Sequence, residues 1–179
     1  MELTSPQFQG LANRINDEGG FTADLRNGGR SPRNRLMVGQ RDVPEGEHAL
    51  PSRGSDVRSY VEAPGVAETV SSPNRFLGGW GHEGKAYLDV PRGFPRTPAG
   101  ESGARRSAIE NDQIAIGVLG KSGNFAGEIN NPFHPENRRG DIAASDDAAQ
   151  RSTWADMPKN QKRTRGRSRK PQVGGESFS

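Results

Sequence analysis

Three short patterns in this chain combine residue types that could do chemistry, and each needs particular surroundings to work. Residues Ala115-Ile116-Gly117-Val118-Leu119-Gly120-Lys121-Ser122 fit a relaxed phosphate-loop pattern, with alanine in place of the first glycine. Such a loop wraps backbone amides round phosphate oxygens and starts a helix at the Lys-Ser pair, so that the helix N-terminus faces the anion. Here Gly123-Asn124-Phe125-Ala126-Gly127 follows, which is a poor helix former, and Asn131-Pro132 closes the segment. The run Ile114–Leu119 leaves few positions for a phosphate nest, and no later strand ends in a magnesium-binding aspartate. The segment reads as a strand followed by the turn Gly120-Lys121-Ser122-Gly123.

The second pattern, Glu45-Gly46-Glu47, resembles the paired glutamates of ADP-ribosyltransferases. That resemblance implies an arginine strand and a Ser-Thr-Ser strand ahead of the glutamates. Arg35 could supply the first, but Ser71-Ser72 comes after the glutamates, in the wrong order. The pair reads as solvated loop carboxylates. The third pattern is histidine beside carboxylate: His82-Glu83 at a hairpin tip and His134-Pro135-Glu136 in a loop, with His48 elsewhere. None has the i, i+4 helical spacing of a zinc hydrolase pair, so all three histidines are expected on the surface.

No Gly-x-Ser-x-Gly nucleophile elbow or Gly-x-Gly-x-x-Gly dinucleotide loop occurs, and Arg139-Gly140-Asp141 is read as a coincidental match to the integrin tripeptide. With no cysteine in the chain, disulfides, thiol chemistry, iron–sulfur clusters and cysteine zinc sites are excluded. No catalytic residue, metal ligand or cofactor is therefore assigned, and the chain is read as a non-enzyme. A rival enzyme would have to assemble its site from separated residues, with Arg35, Glu45, Glu47, His82 and Asp89 as candidates.

Charge is the feature with the most direct consequence. Lys159, Lys162, Arg163, Arg165, Arg167, Arg169 and Lys170 fall within twelve residues that hold no acid. Outside this stretch the chain has 18 basic and 22 acidic side chains, so the net charge of +3 belongs to the tail and the body is mildly acidic. A flexible cationic segment attracts polyanions and releases their counterions, giving sequence-blind, salt-sensitive contact with nucleic acid. No aromatic lies between Lys159 and Lys170, so base stacking is not expected there. A solvated tail, or one that meets an acidic protein face, fits the same residues.

Elements to carry these residues must come from a modest apolar supply. Hydrophobic residues are 30% of the 179, aromatics 6%, and Gly 24 with Pro 13 interrupt regular structure. Mean hydropathy is -0.90, but the apolar residues concentrate between Phe8 and Ile129. Phe8, Leu11, Ala12 and Ile15 lie at i, i+3, i+4, i+7 behind Ser5-Pro6, which predicts a helix ended by Gly19-Gly20. Strands are expected at 21–25, 35–39, 113–119 and 125–129, with a loop over 40–54 and a proline-rich loop over 92–100. Residues 75–80 and 85–90 flank Gly81-His82-Glu83-Gly84 as a β-hairpin. Helical turns are expected near Val57–Val61, Val66–Val70 and Glu101–Asn111.

These elements predict an α+β fold: a single, mostly antiparallel sheet of five or six strands with two or three helices on one face. Residues 1–130 form the domain, 131–158 an irregular linker with a marginal helix around Trp154, and 159–179 a disordered basic tail. The N-terminus has neither a basic n-region nor an apolar h-region, and no run approaches membrane-spanning length. With no cysteine staples, a reducing compartment is expected.

The order of Ile15-Asn16-Asp17-Glu18-Gly19-Gly20-Phe21-Thr22, Phe76-Leu77-Gly78-Gly79-Trp80, Ala86-Tyr87-Leu88-Asp89-Val90 and Asn111-Asp112-Gln113-Ile114-Ala115-Ile116 resembles a small domain of actinobacterial phage and host proteins. That domain occurs near head and portal-associated proteins. The resemblance spans roughly residues 14–119 and brings no catalytic residues with it. It implies a phage or mobile-element accessory protein, bound to a protein partner such as a phage structural protein and located in the bacterial cytoplasm or the virion. The alternatives are a cryptic enzyme, either ADP-ribosyltransferase-like or a phosphate-loop nucleotide binder, and a small host-directed effector acting by binding.

Overall fold

The computed structural model describes residues 3–137. The first helix, α1 (Ser5–Glu18), starts where Thr4 N–H donates to Gln7 Oε1 at 2.7 Å, and Pro6 sits in its first turn. Gly19, at φ 79°, ends it. Phe8, Leu11, Ala12 and Ile15 are buried, as their spacing requires.

Two four-stranded antiparallel sheets follow, where the sequence predicts one larger sheet. In the first sheet the order is β1 (Gly20–Ala23), β4 (Leu77–His82), β5 (Lys85–Asp89), β3 (Gly46–Ala49); in the second it is β6 (Arg92–Pro95), β2 (Arg35–Val38), β7 (Ala115–Leu119), β8 (Phe125–Asn130). The two additional strands, β3 and β6, lie where loops are expected. Both are edge strands, so one backbone side needs no partner, and β6 tolerates Pro95 for that reason.

The helices also divide between the sheets. Against the first sheet pack α1, α2 (Gly54–Val61) and α3 (Val66–Val70), sharing one core with Phe21, Leu77, Ala86, Leu88 and Val90. Against the second packs α4 (Pro98–Glu110), whose Ala104 and Ala108 meet Leu36, Val38 and Ile116. The helices therefore do not share one sheet face as predicted.

A continuous ribbon joins the sheets. β5 runs through Val90-Pro91 into β6, while Phe76 N–H donates to Pro91 O at 3.1 Å and Gly93 N–H to Asn74 O at 2.8 Å. Phe76, Met37 and Leu119 form a small core between the halves. Beyond β8 the chain stays packed: Asn131 is buried and donates through Nδ2 to Gln113 O at 2.9 Å. Among the described residues no helix is long and apolar enough to cross a membrane.

Candidate functional site

Strand register decides which candidates meet. Side chains alternate along a strand, so residues directly opposite one another share a face. Trp80 is opposite Gly20 on one side and Tyr87 on the other, and Tyr87 is opposite Glu47. One row further lie Thr22, Gly78 and Asp89, and in the other direction His82 and Lys85. This face is turned away from the helical core, which takes Phe21, Gly79 and Leu88.

At its centre the rings of Trp80 and Tyr87 stack, centroids 5.7 Å apart and 17° between planes. Both are half-buried, while Glu47, His82 and Lys85 are exposed around them. Lys85 Nζ is 2.6 Å from Glu47 Oε1, and that hydrogen bond, followed by the glutamate's charge, raises the ammonium pKa. His82 Nε2 lies 3.5 Å from Glu83 Oε1. At the far row Asp89 is buried, and its carboxylate occupies the space that a side chain at Gly78 would need.

Tyr60 links this end of the sheet to the helices. Its hydroxyl donates to Pro44 O at 2.9 Å. Burial pushes its phenol pKa well above the ordinary range, and the carboxylates of Asp89 and then Glu45 push it further.

Four of the five enzyme candidates, Glu45, Glu47, His82 and Asp89, thus belong to the first sheet or its β3 end. Arg35 is on the second sheet, opposite Pro95 and Leu119, and does not join them. Two histidines depart from the surface placement expected for them. His134 is buried, its Nδ1 accepting from Glu136 N–H at 3.2 Å. His48 is half-buried with Nε2 2.8 Å from Ser52 Oγ, and Ser52 is itself buried and held by Asn16 at 2.8 and 3.0 Å. Among the described residues no group of three or more His, Asp or Glu is placed to hold a metal ion. The seven tail cations, Lys159 to Lys170, and the helix around Trp154 lie outside the described residues.

A second region was not anticipated from sequence. Between Asp24 and Asp42 the chain carries Arg26, Arg30, Arg33, Arg35 and Arg41 and no acid. Totalling charge over the whole body conceals that run, whereas a window of fifteen to twenty residues reveals it. The loop 28–34 closes on the β7–β8 turn: Asn34 N–H donates to Gly120 O at 2.9 Å, and Gly123 N–H to the same carbonyl at 3.0 Å. Gly123 (φ 88°) comes so close to the loop that a Cβ there would lie 2.9 Å from Ser31 Cβ. So Gly120–Gly123 is a hairpin turn followed by a strand, not the start of a phosphate-loop helix. Asn27, Arg30, Ser31, Pro32, Arg33 and Ser122 line a half-open depression of about 530 Å³ at this junction.

Comparison with family models, with curated proteins and with solved structures finds no match to this chain.

Proposed function

We propose that the chain is a non-enzymatic accessory protein of the phage type, acting in the bacterial cytoplasm or the virion. The folded domain docks on a protein partner, and Lys159 to Lys170 make sequence-blind contact with nucleic acid. The observation that carries the docking half is the stacked Trp80–Tyr87 pair, half-buried at the centre of a sheet face with Glu47, His82 and Lys85 exposed around it. Protein interfaces concentrate their energy in such aromatic centres, with a charged and polar rim. Co-sedimentation with phage heads and portal assemblies tests it. The wild-type chain should co-sediment and Tyr87→Glu should not; equal behaviour of the two defeats the docking reading.

A cryptic enzyme of ADP-ribosyltransferase type is the second reading, favoured by one observation. The charges of Asp89 and Glu45 both raise the Tyr60 phenol pKa, Asp89 ending β5 and Glu45 lying just ahead of its partner strand β3. A turnover assay with a nicotinamide dinucleotide, wild type against Asp89→Asn, distinguishes the two readings. A host-directed effector would use the same aromatic face on a host protein.

A further inference from the structure

We propose that the second sheet and its arginine loop form a binding site for single-stranded nucleic acid, independent of the tail. The phosphates would sit on Arg30, Arg33 and Lys121, and a base would lie on Phe125. Among the described residues several cations around this loop are committed: Arg14 pairs with Glu18, Arg26 with Asp24, Arg41 with Asp112 and Arg75 with Asp42. No carboxylate of the described residues pairs with Arg30, Arg33, Arg35 or Lys121, and all of these but Arg35 are exposed. Residues 3–137 hold 15 basic and 16 acidic side chains, so this cluster is a local excess on a near-neutral body. Unpaired, exposed guanidinium groups suit phosphate oxygens, which they can bind through two N–H donors at once.

The depression adds neutral donors. Arg14 Nη2 donates to Ser31 Oγ at 3.0 Å, which leaves the Ser31 hydroxyl hydrogen to donate elsewhere, and Ser122 lines the same depression. The loop is fixed at both ends, by Asp24 N–H on Arg30 O at 2.8 Å and Asn34 N–H on Gly120 O, so the arginines are presented on an ordered frame. A half-open hollow of this kind suits a strand running past rather than an enclosed small ligand.

Phe125 narrows the choice to single strands. It opens β8 directly after the turn, is 57% exposed, and its ring lies over Gly117, near Met37. By strand alternation that is the face of the second sheet on which Arg35 lies. An exposed aromatic beside unpaired cations is the arrangement on which unstacked bases are held. A duplex keeps its bases stacked and cannot use it.

The test is fluorescence anisotropy of labelled single-stranded and duplex 20-mers with the full-length chain, its seven tail cations replaced by glutamine. Binding of the single strand should persist. It should fall at least tenfold on adding Arg30→Glu and Arg33→Glu, with a shallower salt dependence, and by about tenfold on adding Phe125→Ala. Duplex binding should be weaker and indifferent to Phe125→Ala. Arg106→Glu, on α4 across the other face of the sheet, changes charge without touching the site and should have little effect. Thermal melts establish that each variant folds. The proposal is overturned if the tail-neutralised chain binds no single strand, if Arg30→Glu and Arg33→Glu weaken binding no more than Arg106→Glu, or if Phe125→Ala leaves single-strand affinity unchanged.

Discussion

The ring of Phe76 occupies the space above Gly93 that a side chain there would need: a Cβ would overlap Cε2 and lie 3.0 Å from Cδ2. Phe76 belongs to the approach to β4 and Gly93 to β6, so this contact fastens the first sheet to the second. Gly93→Ala should therefore lower unfolding free energy by about 1–3 kcal/mol, the usual cost of overpacking. Phe76→Leu should relieve part of that cost in the double variant, so that the two effects are not additive in urea titrations.

Tyr60 makes stability depend on alkaline pH. Folding holds its phenol protonated, so the folded pKa exceeds the unfolded one. The resulting stabilisation is complete below the unfolded value of about 10 and is lost as pH rises beyond it. Urea midpoints should be flat from pH 7 to 9 and drop above 10. In Tyr60→Phe this Tyr60-dependent drop should vanish, with about 1 kcal/mol lost at neutral pH for the hydrogen bond to Pro44 O.

Asn131 is a buried polar hub whose loss should be felt. It donates through Nδ2 to Gln113 O at 2.9 Å and accepts from Phe133 N–H at 3.0 Å through Oδ1. Asn131→Ala strands both backbone groups and should cost about 1–3 kcal/mol by thermal melting. Asn131→Asp should cost at least as much, because a carboxylate oxygen would then face the Gln113 carbonyl.

Removing residues 159–179 should change duplex binding chiefly through salt. Each phosphate neutralised contributes about 0.9 to the slope of log affinity against log salt. The truncated chain should therefore bind duplex more weakly at low salt and with a flatter slope. An unchanged slope, or no binding by either chain, would remove nucleic acid from the tail's role.

How much of this was legible in the sequence depended on burial. α1 was readable because Phe8, Leu11, Ala12 and Ile15 all face one core. The β4–β5 hairpin was readable because apolar residues flank a glycine-containing turn, which the structure places at Glu83-Gly84. β3 was not, because Gly-Glu-His-Ala places no large apolar side chain in the core and gains its order from pairing with β5. β6 was hidden by Pro95, which only an edge strand accommodates. The split into two sheets turns on Phe76 and Pro91, and no periodicity encodes which sheet a strand will join. Of the candidate sites, the register that aligns Glu47, Tyr87 and Trp80 needed β3, and the depression needed the contact between two loops about ninety residues apart in the chain.

Strand membership alternates along the chain: β2 belongs to the second sheet but precedes β3, β4 and β5 of the first. During synthesis the first sheet can close once Asp89 has emerged, while Leu36, Met37 and Val38 must await β6 and β7, made more than fifty residues after them. A ribosome that stalls in between would release a chain with a bare greasy strand, a natural target for chaperones or a seed for aggregation. Production of this protein should therefore depend on the pace of translation through residues 39–115 more than on its final stability.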